Sequence, residues 1–357
     1  MGRMMYVGVD VHKNFCQSAM MDDAGHIVKE DRFPNTDEGI QSFISRLVGF
    51  DDVRVVLEST GSLWMKLYDA IEEHGLEAVL SNPYKTRLIA EARIKTDKLD
   101  ARILAHLLRA DLIPRCYVPS KEIREVRSLV RHRVKLSKTR TEIKNRIHAL
   151  LDKHRLKAPC SELFSKEGLE WLKSLKLSSI DDAVLKSDLV VLKALDEQIG
   201  YVESKIASIA LKDPNVELLI TMPGIDFYSA MVLSSEMGSI ERFSTDKKLV
   251  AWAGMAPSLL QSGDVLRVGR ITKEGNKMVR WIMVQAALNA IRSDARLREL
   301  YERYRSRKGH HKAIIAVAHE MLRIVWFMLK RREPYRGEDK RLSLRKHNRM
   351  CRLALDG

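Results

Sequence analysis

The first 110 residues alternate between short β-type runs and helix-type segments, and this order restricts the fold more than any other feature of the chain. Apolar and β-branched runs predict strands, and a turn at residues 23–25 separates two of them. Apolar residues at intervals of three and four predict the helices. In chain order the predicted elements are strands at MMYVGVDVHK, FCQSAMMD and HIVKEDRF, a helix over 40–47, a strand at DVRVVLEST, a helix over 62–74, a strand at LEAVLSNP and a long helix over 85–110.

This order, a three-strand meander followed by helix, strand, helix, strand and helix, is that of the RNase H-like fold, so an α/β first domain is predicted. Asp10 interrupts the apolar first strand, and Glu58 ends the fourth. Asp97 and Asp100 are three residues apart, which places both on one face of the last helix. These four positions are where the RNase H-like fold holds its metal site.

Four converging carboxylates repel one another, and each costs free energy inside an apolar strand or helix face unless it is paired or metal-bound. Because oxygen ligands suit Mg²⁺, we predict that Asp10, Glu58, Asp97 and Asp100 bind Mg²⁺, with Mn²⁺ as an alternative, and catalyse phosphoryl transfer. Taken singly, each could also be a turn cap or a surface ion pair. His12 lies on the same strand face as Asp10, and a structural role is favoured for it.

Positive charge is concentrated in three segments of the remaining chain. The 357 residues include 62 Lys and Arg against 47 Asp and Glu. Residues 115–157, 265–312 and 323–352 carry net charges of +10, +9 and +8. Such clusters are typical of proteins that bind phosphate backbones, and the three together favour a nucleic-acid partner over a merely solvated surface.

The same sequence argues against a membrane or secreted protein. No apolar run reaches the roughly 18 residues that a membrane span needs. The N-terminus enters a strand pattern at once, without the pattern of a signal peptide. The four cysteines are far apart and lack C-x-x-C spacing. We expect a cytoplasmic protein that associates with the nucleoid while it reacts.

The middle of the chain has helical periodicity throughout. Residues 120–157 predict one long basic helix, or two, with an apolar stripe. Over residues 185–209, Leu185 and Leu192 begin a row of apolar residues repeated every seven positions, as in a coiled coil, and Asp188 interrupts the companion row. A dimerising or bundling element is favoured over an intramolecular helix hairpin.

The segment LLITMPGIDFYSAMVLSSEMG predicts two helices around a tight Pro-Gly turn, in a mainly helical C-terminal region. This pattern resembles a helix-hairpin-helix, whose turn offers backbone N–H groups to a DNA phosphate. Asp226 stands where the second glycine of the hairpin is usual. A phosphate-binding hairpin and a purely structural one therefore remain equally open.

Ser262 precedes Gly263 in a stretch that is predicted to be flexible, and several cations follow it. A hydroxyl beside cations fits a nucleophile that attacks a phosphodiester, because the cations stabilise the transition state. A Ser-Gly pair is also a common turn, so the residues alone leave both interpretations open.

The segments VGVDVHK, VLEST, KTDKLDA and AGMAPSLLQSGDVLRVGRITKEGNKMVRW together resemble the DEDD transposases of insertion-sequence family 110 and the related Piv-type DNA invertases. The similarity covers roughly residues 5–335. It implies a RuvC-like domain, a helical connector and a C-terminal transposase domain. We place these at residues 1–115, 116–212 and 213–335, with a basic tail at 336–357.

The resemblance also implies roles for individual residues. Asp10, Glu58, Asp97 and Asp100 match the acidic tetrad of the family, and Ser262 matches the serine thought to form a covalent 5′-phosphoserine link. It implies strand exchange between donor and target double-stranded DNA, guided by a structured non-coding RNA. The resemblance further implies a homodimer that assembles to a tetramer, with active sites shared between protomers. The predicted coiled-coil row over residues 185–209 is consistent with such an assembly. Asp264 departs from expectation, because a basic or neutral residue is more natural beside DNA.

Two other functions stay open, a metal-dependent junction nuclease that uses activated water and a non-catalytic nucleic-acid-binding protein. A covalent protein–DNA adduct distinguishes the recombinase from both. The residues predicted to contact nucleic acid are Lys95, Lys98, Arg131, Arg133, Lys135, Arg140, Lys144, Arg267, Arg270, Lys273, Lys277 and Arg280.

Overall fold

The computed structural model describes residues 4–58, 61–90, 96–262 and 265–355, without the side chains of Ser262 and Leu266. It divides into two compact units, Met1–Val118 and Pro119–Gly357. The first unit combines one β-sheet with helices, and the second is mostly helical. The predicted α/β first domain with a mainly helical remainder is confirmed. In the described part of the chain, no helix combines the length and hydropathy that crossing a membrane would require.

A five-stranded mixed sheet forms the centre of the first unit. Its elements are β1 (Met4–Val11), β2 (Phe15–Met21), β3 (Ile27–Pro34), α1 (Asp37–Leu47), β4 (Asp52–Glu58), α2 (Trp64–Glu73), β5 (Glu77–Ser81), α3 (Pro83–Ile89) and α4 (Asp97–Arg109). The strand order is β3-β2-β1-β4-β5. Strands β1, β2 and β3 are antiparallel neighbours, whereas β4 is parallel to β1 and β5 is parallel to β4. All five predicted strands are confirmed.

Different helices cover the two faces of this sheet. Leu57 of β4 packs in one apolar cluster with Ile44 of α1 and Leu67 of α2. Val56, whose side chain points the other way, packs in a second cluster with Leu104 of α4. Because side chains alternate along a strand, the residue after Leu57 returns to the face that carries α4.

The single long helix predicted over residues 85–110 is wrong, because the structure has two helices there. α3 has ended by Ala90, and α4 begins only at Asp97. Thr96 has extended geometry (φ −143°), and its side chain accepts a backbone N–H of α4 at 3.2 Å, which caps a new helix. Asp97 and Asp100 then lie in the first turn, where the helix dipole favours negative charge.

The described residues of the second unit include ten α-helices, one 3₁₀ helix (Ile240–Arg242) and one β-hairpin. They are α5 (Lys121–Lys153), α6 (Lys166–Ser174), α7 (Ser179–Ala210), α8 (Pro214–Leu219), α9 (Phe227–Met237), α10 (Asp246–Trp252), β6 (Pro257–Ser262), β7 (Val265–Ile271), α11 (Lys277–Ser293), α12 (Ala295–Lys308), α13 (His310–Arg331) and α14 (Lys340–Leu355). Of the two alternatives for the basic segment, a single helix is therefore the one that forms.

The basic helix α5 and the heptad row of α7 pack against each other. Ile143 and Ile147 of α5 share an apolar cluster with Leu185 and Leu192 of α7. The row is therefore filled within one chain, which is the packing of the intramolecular alternative. Association between copies of the chain stays a prediction.

A series of ion pairs shows that these two helices run antiparallel. Later residues of α5 meet earlier residues of α7: Arg133 with Glu203 (2.9 Å), Arg140 with Asp196 (2.9 Å), Arg146 with Asp188, and Lys153 with Asp181 (2.8 Å). Asp188 is the residue that interrupts the apolar seam, and its pairing with Arg146 explains how a nearly buried carboxylate is tolerated there.

Glu236, the second-last residue of α9, is a fully buried carboxylate. Arg131 of α5 donates to both of its oxygens at 2.6 and 2.9 Å, and Asn276 donates to Oε2 at 2.7 Å. Asn276 also caps α11, and Arg127 of α5 donates to two backbone carbonyls at the end of α9. One charged group therefore joins α5, α9 and the start of α11.

The Pro-Gly hairpin between α8 and α9 lies in the core of the second unit. Every residue of α9 is buried. Gly224 has φ +79°, and a Cβ there would lie 2.1 Å from the carbonyl oxygen of Ala286 on α11. Asp226 caps α9 by accepting the Ser229 N–H at 2.8 Å, which accounts for an acidic residue at this position. The helix-hairpin-helix assignment stays a prediction.

Residues 336–357, which the charge pattern sets apart as a tail, include helix α14. Met350 of this helix is buried in the core of the second unit. Lys346 donates to the carbonyls of Ile220 and Met222, both at 2.7 Å, just after α8. Burial lowers the pKa of Lys346 to about 8. The helix is therefore anchored to the unit by both apolar and polar contacts.

We expect Glu236→Ala to lower the free energy of unfolding by about 3 kcal/mol, because it leaves Arg127 and Arg131 beside an empty site. Urea unfolding of the purified protein measures the change. Glu197→Ala is the matched control, since Glu197 is exposed and lies 3.8 Å from Lys193 on the same helix. Its cost should stay below about 0.5 kcal/mol. Equal losses in the two variants would contradict a special role for Glu236.

Candidate metal centre

The sheet register brings two of the predicted acidic residues side by side. Val9 of β1 lies opposite Leu57 of the parallel neighbour β4. Asp10 and Glu58 are the next residues along their strands, and both therefore point to the face that carries α4. The carboxyl ends of the two central strands thus supply one carboxylate each.

A glycine in β1 allows α4 to approach the sheet closely. A Cβ on Gly8 would lie 2.1 Å from the carbonyl oxygen of Ala101 and 2.9 Å from Cβ of Leu104. Gly8 lies two residues before Asp10 on the same face, and Ala101 directly follows Asp100. The absence of a side chain at Gly8 therefore lets the first turn of α4 lie beside Asp10.

Asp10, His12 and Asp97 form a compact cluster at this place. His12 Nε2 lies 3.0 Å from Oδ2 of Asp10 and 3.3 Å from Oδ1 of Asp97. The ligand atoms of these three residues all lie within 4.8 Å of one another. All three side chains are half-buried, so the cluster is accessible from solvent. Asp100 is close enough to Asp10 to affect its ionisation.

Burial, followed by the charges of Asp100 and Asp97, raises the pKa of Asp10 above its ordinary value. Contact with His12 acts in the opposite direction but does not outweigh burial. The Asp10 carboxylate is therefore held in a place where its negative charge is unfavourable. A cation bound at this place would relieve that cost.

The cluster has the donor set of a divalent metal site. Carboxylate oxygens are the preferred ligands of Mg²⁺, and the additional imidazole nitrogen of His12 also suits Mn²⁺ and related ions. The donor atoms lie near enough to one another to share an ion. The residues present thus fit a divalent cation.

His12 is the residue of this cluster that the sequence analysis does not assign to the site. Its position two residues after Asp10, on the same face of the strand, is the signal that points to it. The sequence analysis favours a structural role for His12 because most histidines in proteins pack or form hydrogen bonds without binding a metal. The structure places its ring between two carboxylates and 4.8 Å from the ring of Phe15.

Ser262 is the last residue of β6, and its register partner is Val265 of β7. The strands 257–262 and 265–271 therefore pair as a two-stranded antiparallel hairpin. Gly263 and Asp264 lie outside the described residues, as does the side chain of Ser262. The roles predicted for Ser262 and Asp264 are not tested by the structure.

The predicted nucleic-acid residues fall into two groups in the structure. On α5, Arg131, Arg133 and Arg140 pair with carboxylates of the same unit, and Lys144 lies 4.4 Å from the ring of Phe164. Exposed residues form the second group; these are Lys98, Lys135, Arg267, Arg270, Lys273 and Lys277. Arg280 is half-buried and donates to the Ala253 carbonyl at 2.8 Å, and Lys95 lies outside the described residues.

Two family models match this chain. A DEDD-type model described as "Transposase" matches residues 7–155, and a model of the "Transposase IS116/IS110/IS902 family" matches residues 216–302. Together they cover about two thirds of the sequence. The protein is a DNA transposase. It belongs to the IS110 family of DEDD transposases.

Curated relatives extend this similarity over nearly the whole chain. The transposase for insertion sequence element IS1111A of Coxiella burnetii is 24% identical over 339 residues, which are 92% of this chain and 91% of the relative. An uncharacterized 43.6 kDa protein of insertion element IS110 from Streptomyces coelicolor is 22% identical, with 91% and 94% covered. The pilin gene-inverting protein of Moraxella bovis is 22% identical, with 94% and 98% covered.

We expect Asp10→Asn to stabilise the metal-free protein. The pKa of Asp10 is raised in the folded state. Once the pH rises above the ordinary pKa of an aspartate, the free energy of unfolding therefore falls, and at neutral pH the ionised carboxylate destabilises the fold. In EDTA the midpoint of thermal unfolding should rise by about 2 °C. Added Mg²⁺ should raise the midpoint of the wild type and not that of the variant.

Asp51→Asn removes the same charge from an exposed residue of the first unit and should change neither midpoint. A lower midpoint for Asp10→Asn in EDTA, or a Mg²⁺ effect equal to that of the wild type, would contradict the assignment of Asp10 to the metal site.

We expect Gly8→Ala to weaken metal binding at least tenfold, because the new Cβ forces the start of α4 away from β1. Titration calorimetry with Mn²⁺ measures the affinity, and circular dichroism checks that the variant is folded. Gly49→Ala is the control, since a Cβ on Gly49 meets nothing within 4 Å. Unchanged Mn²⁺ affinity in a folded Gly8→Ala protein would overturn the positioning argument.

Proposed function

We propose that this transposase performs metal-dependent strand exchange through a covalent phosphoserine intermediate. The observation that carries the proposal is the cluster of Asp10, His12 and Asp97, with Glu58 on the neighbouring strand and Asp100 on the same helix. A strand order of 3-2-1-4-5 with parallel β1, β4 and β5 supports an RNase H-like, RuvC-like first domain. Membership in the IS110 family supports the recombinase chemistry.

In this proposal Asp10, Glu58, Asp97 and Asp100 hold Mg²⁺, or Mn²⁺, in the first unit. When bound, the ion supplies positive charge that stabilises a phosphoryl-transfer transition state. The carboxylates fix its position, and the first turn of α4 presents Asp97 and Asp100 on one helix face. His12 holds the carboxylates of Asp10 and Asp97 at a fixed separation.

Ser262 is the proposed nucleophile. Its Oγ forms a bond to the phosphorus of a DNA phosphodiester while the bond from phosphorus to the 3′ oxygen breaks. The hydroxyl loses one proton and the departing 3′ oxygen gains one, so the step is balanced. Attack of another 3′-OH on the phosphoserine reverses it and joins two strands without ATP, because the energy of the phosphodiester is conserved.

The relatives support recombination over simple cleavage. The name of the Moraxella bovis relative describes inversion of a gene, which requires that cut strands be rejoined. We propose that the present chain likewise cuts and rejoins strands, in an exchange between donor and target duplexes. A non-coding guide RNA is part of the proposal through the family resemblance, with base pairing choosing the sequence and the protein reading shape.

We also propose that the protein acts as a homodimer assembling to a tetramer, with active sites shared between protomers. The seam at Leu185 and Leu192 is occupied by α5, so the contact between copies would use another face of α7. Ile180, Val184 and Val190 are exposed on this helix, with 75%, 48% and 69% of their surface accessible. The division into three domains and a tail, with boundaries at residues 115, 212 and 335, stays a proposal.

We expect Ser262→Ala to lower the yield of covalent protein–DNA adduct by more than about 10³-fold, because it removes the attacking oxygen. The full chain is incubated with supercoiled plasmid carrying the flanking DNA of its gene, the RNA transcribed there, and Mg²⁺. After denaturation, protein linked to a DNA 5′ end is measured. Asp10→Ala should abolish the adduct equally, and both variants should still bind nucleic acid.

Ser258→Ala is the matched control, because it deletes the same hydroxyl from the same strand. It should give the adduct at wild-type yield. Mg²⁺-dependent cleavage without an adduct, unaffected by Ser262→Ala, would replace the proposal by a junction nuclease that uses activated water. Salt-sensitive binding with neither cleavage nor adduct would replace it by a non-catalytic binding protein.

A further inference from the structure

A large groove lies in the second unit between strand β7 and the helices α12 and α13. Its volume is about 1570 Å³, which exceeds the size of an ordinary small-molecule pocket. One wall is the strand β7, from Val268 to Ile271, and the opposite wall is formed by the facing sides of the two helices. The groove is partly open to solvent.

The rim of the groove is strongly basic. Eight Lys and Arg residues line it against two Glu. One of these, Glu320, is already paired with Arg323 at 3.0 Å and lies 3.9 Å from Arg296. In the described part of the chain no ion-pair partner is recorded for Arg270, Lys273, Arg307 and Lys312.

These unpaired cations come from three different elements and face one space. Arg270 lies on β7, Arg307 on α12 and Lys312 on α13. Like charges that share a groove repel one another, and the fold gains nothing from placing them together. A polyanion that runs between them would relieve this repulsion.

The groove also has apolar lining residues and the ring of one tyrosine. Leu297, Leu300 and Ile315 line it, together with the half-buried Tyr304. Arg303 and Lys308 lie 5.6 and 5.8 Å from the centre of the Tyr304 ring. This combination suits a strand with unpaired bases, because base faces can cover apolar surface and stack on a ring while phosphates meet the rim. A duplex presents only sugar and phosphate to such a lining.

We propose that this groove binds the backbone and one or more unpaired bases of a single nucleic-acid strand. Either DNA or RNA offers this chemistry. Val268 pairs with Leu259 in the β6–β7 hairpin, and it lies three positions after Val265, the register partner of Ser262. At a rise of about 3.3 Å per residue, the groove ends roughly 10 Å from Ser262. The bound strand therefore continues toward the proposed nucleophile.

The proposal that the groove binds a nucleic-acid strand depends only on the groove residues. The link between this binding and catalysis depends on the proposed function of Ser262. Binding is therefore measured separately from adduct formation. Fluorescence anisotropy of the full chain uses a labelled 12-nucleotide single-stranded DNA, the RNA of the same sequence and the DNA duplex, each over a range of salt concentrations. Ser262→Ala should bind all three probes like the wild type.

Arg307→Ala with Lys312→Ala should weaken binding of the preferred single strand about tenfold and lower the salt slope by about 1.4, since two phosphate contacts are lost. Lys247→Ala with Lys248→Ala is the control, because these residues are exposed on α10 and do not line the groove. Equal losses for the two double variants, or an unchanged salt slope, would overturn the proposal.

Tyr304→Leu tests the unpaired base. It should weaken single-strand binding about tenfold through loss of stacking, while Tyr304→Phe keeps the ring and the affinity. The duplex should lose less than either single strand. Identical behaviour of the Leu and Phe variants, or a larger loss for the duplex, would overturn the assignment of an unpaired strand. The probe that responds more strongly, DNA or RNA, identifies the source of the strand.

Discussion

Repulsion between carboxylates is the constraint on which the first unit depends. Asp10, Asp97 and Asp100 are held near one another although their charges oppose this arrangement, and burial, followed by the charges of Asp100 and Asp97, raises the pKa of Asp10. The sheet and α4 must therefore be rigid enough to impose it. The contact at Gly8, where β1 and α4 approach without a side chain between them, provides that rigidity. The site thus exists because packing elsewhere outweighs an unfavourable local charge.

In the second unit the repulsion is between positive charges, and ion pairs with carboxylates offset it. Its basic helix α5 would repel itself if its arginines were unpaired, but Arg131 meets the buried Glu236 and Arg133 meets Glu203. These pairs fix α5 against α9 and α7, so much of its charge stabilises the fold. The high net charge of a segment is therefore a poor guide to which of its residues remain available for a ligand.

The sequence was sufficient to predict the strands of the first unit, since β-branched runs buried on both faces have few alternatives. It also identified the carboxylates of β1 and α4, because a charge in an apolar run is conspicuous. The break before Asp97 was missed because helical periodicity runs through it, and only the cap by Thr96 reveals a new helix. The sequence leaves two partners for the Leu185 row open, because periodicity shows that a face is buried but not what covers it.

The groove beside β7 shows why charge has to be judged in three dimensions. Arg270, Arg307 and Lys312 are separated by up to 42 positions, and no motif connects them. They meet because α12 and α13 fold back on each other and present one side to the hairpin. In contrast to the arginines of α5, these three cations have no ion pair with a carboxylate among the residues that the structure describes. The groove that we propose binds a polyanion therefore lies beside the hairpin that carries Ser262, whereas Arg131 and Arg133 of α5 are used in ion pairs within the unit.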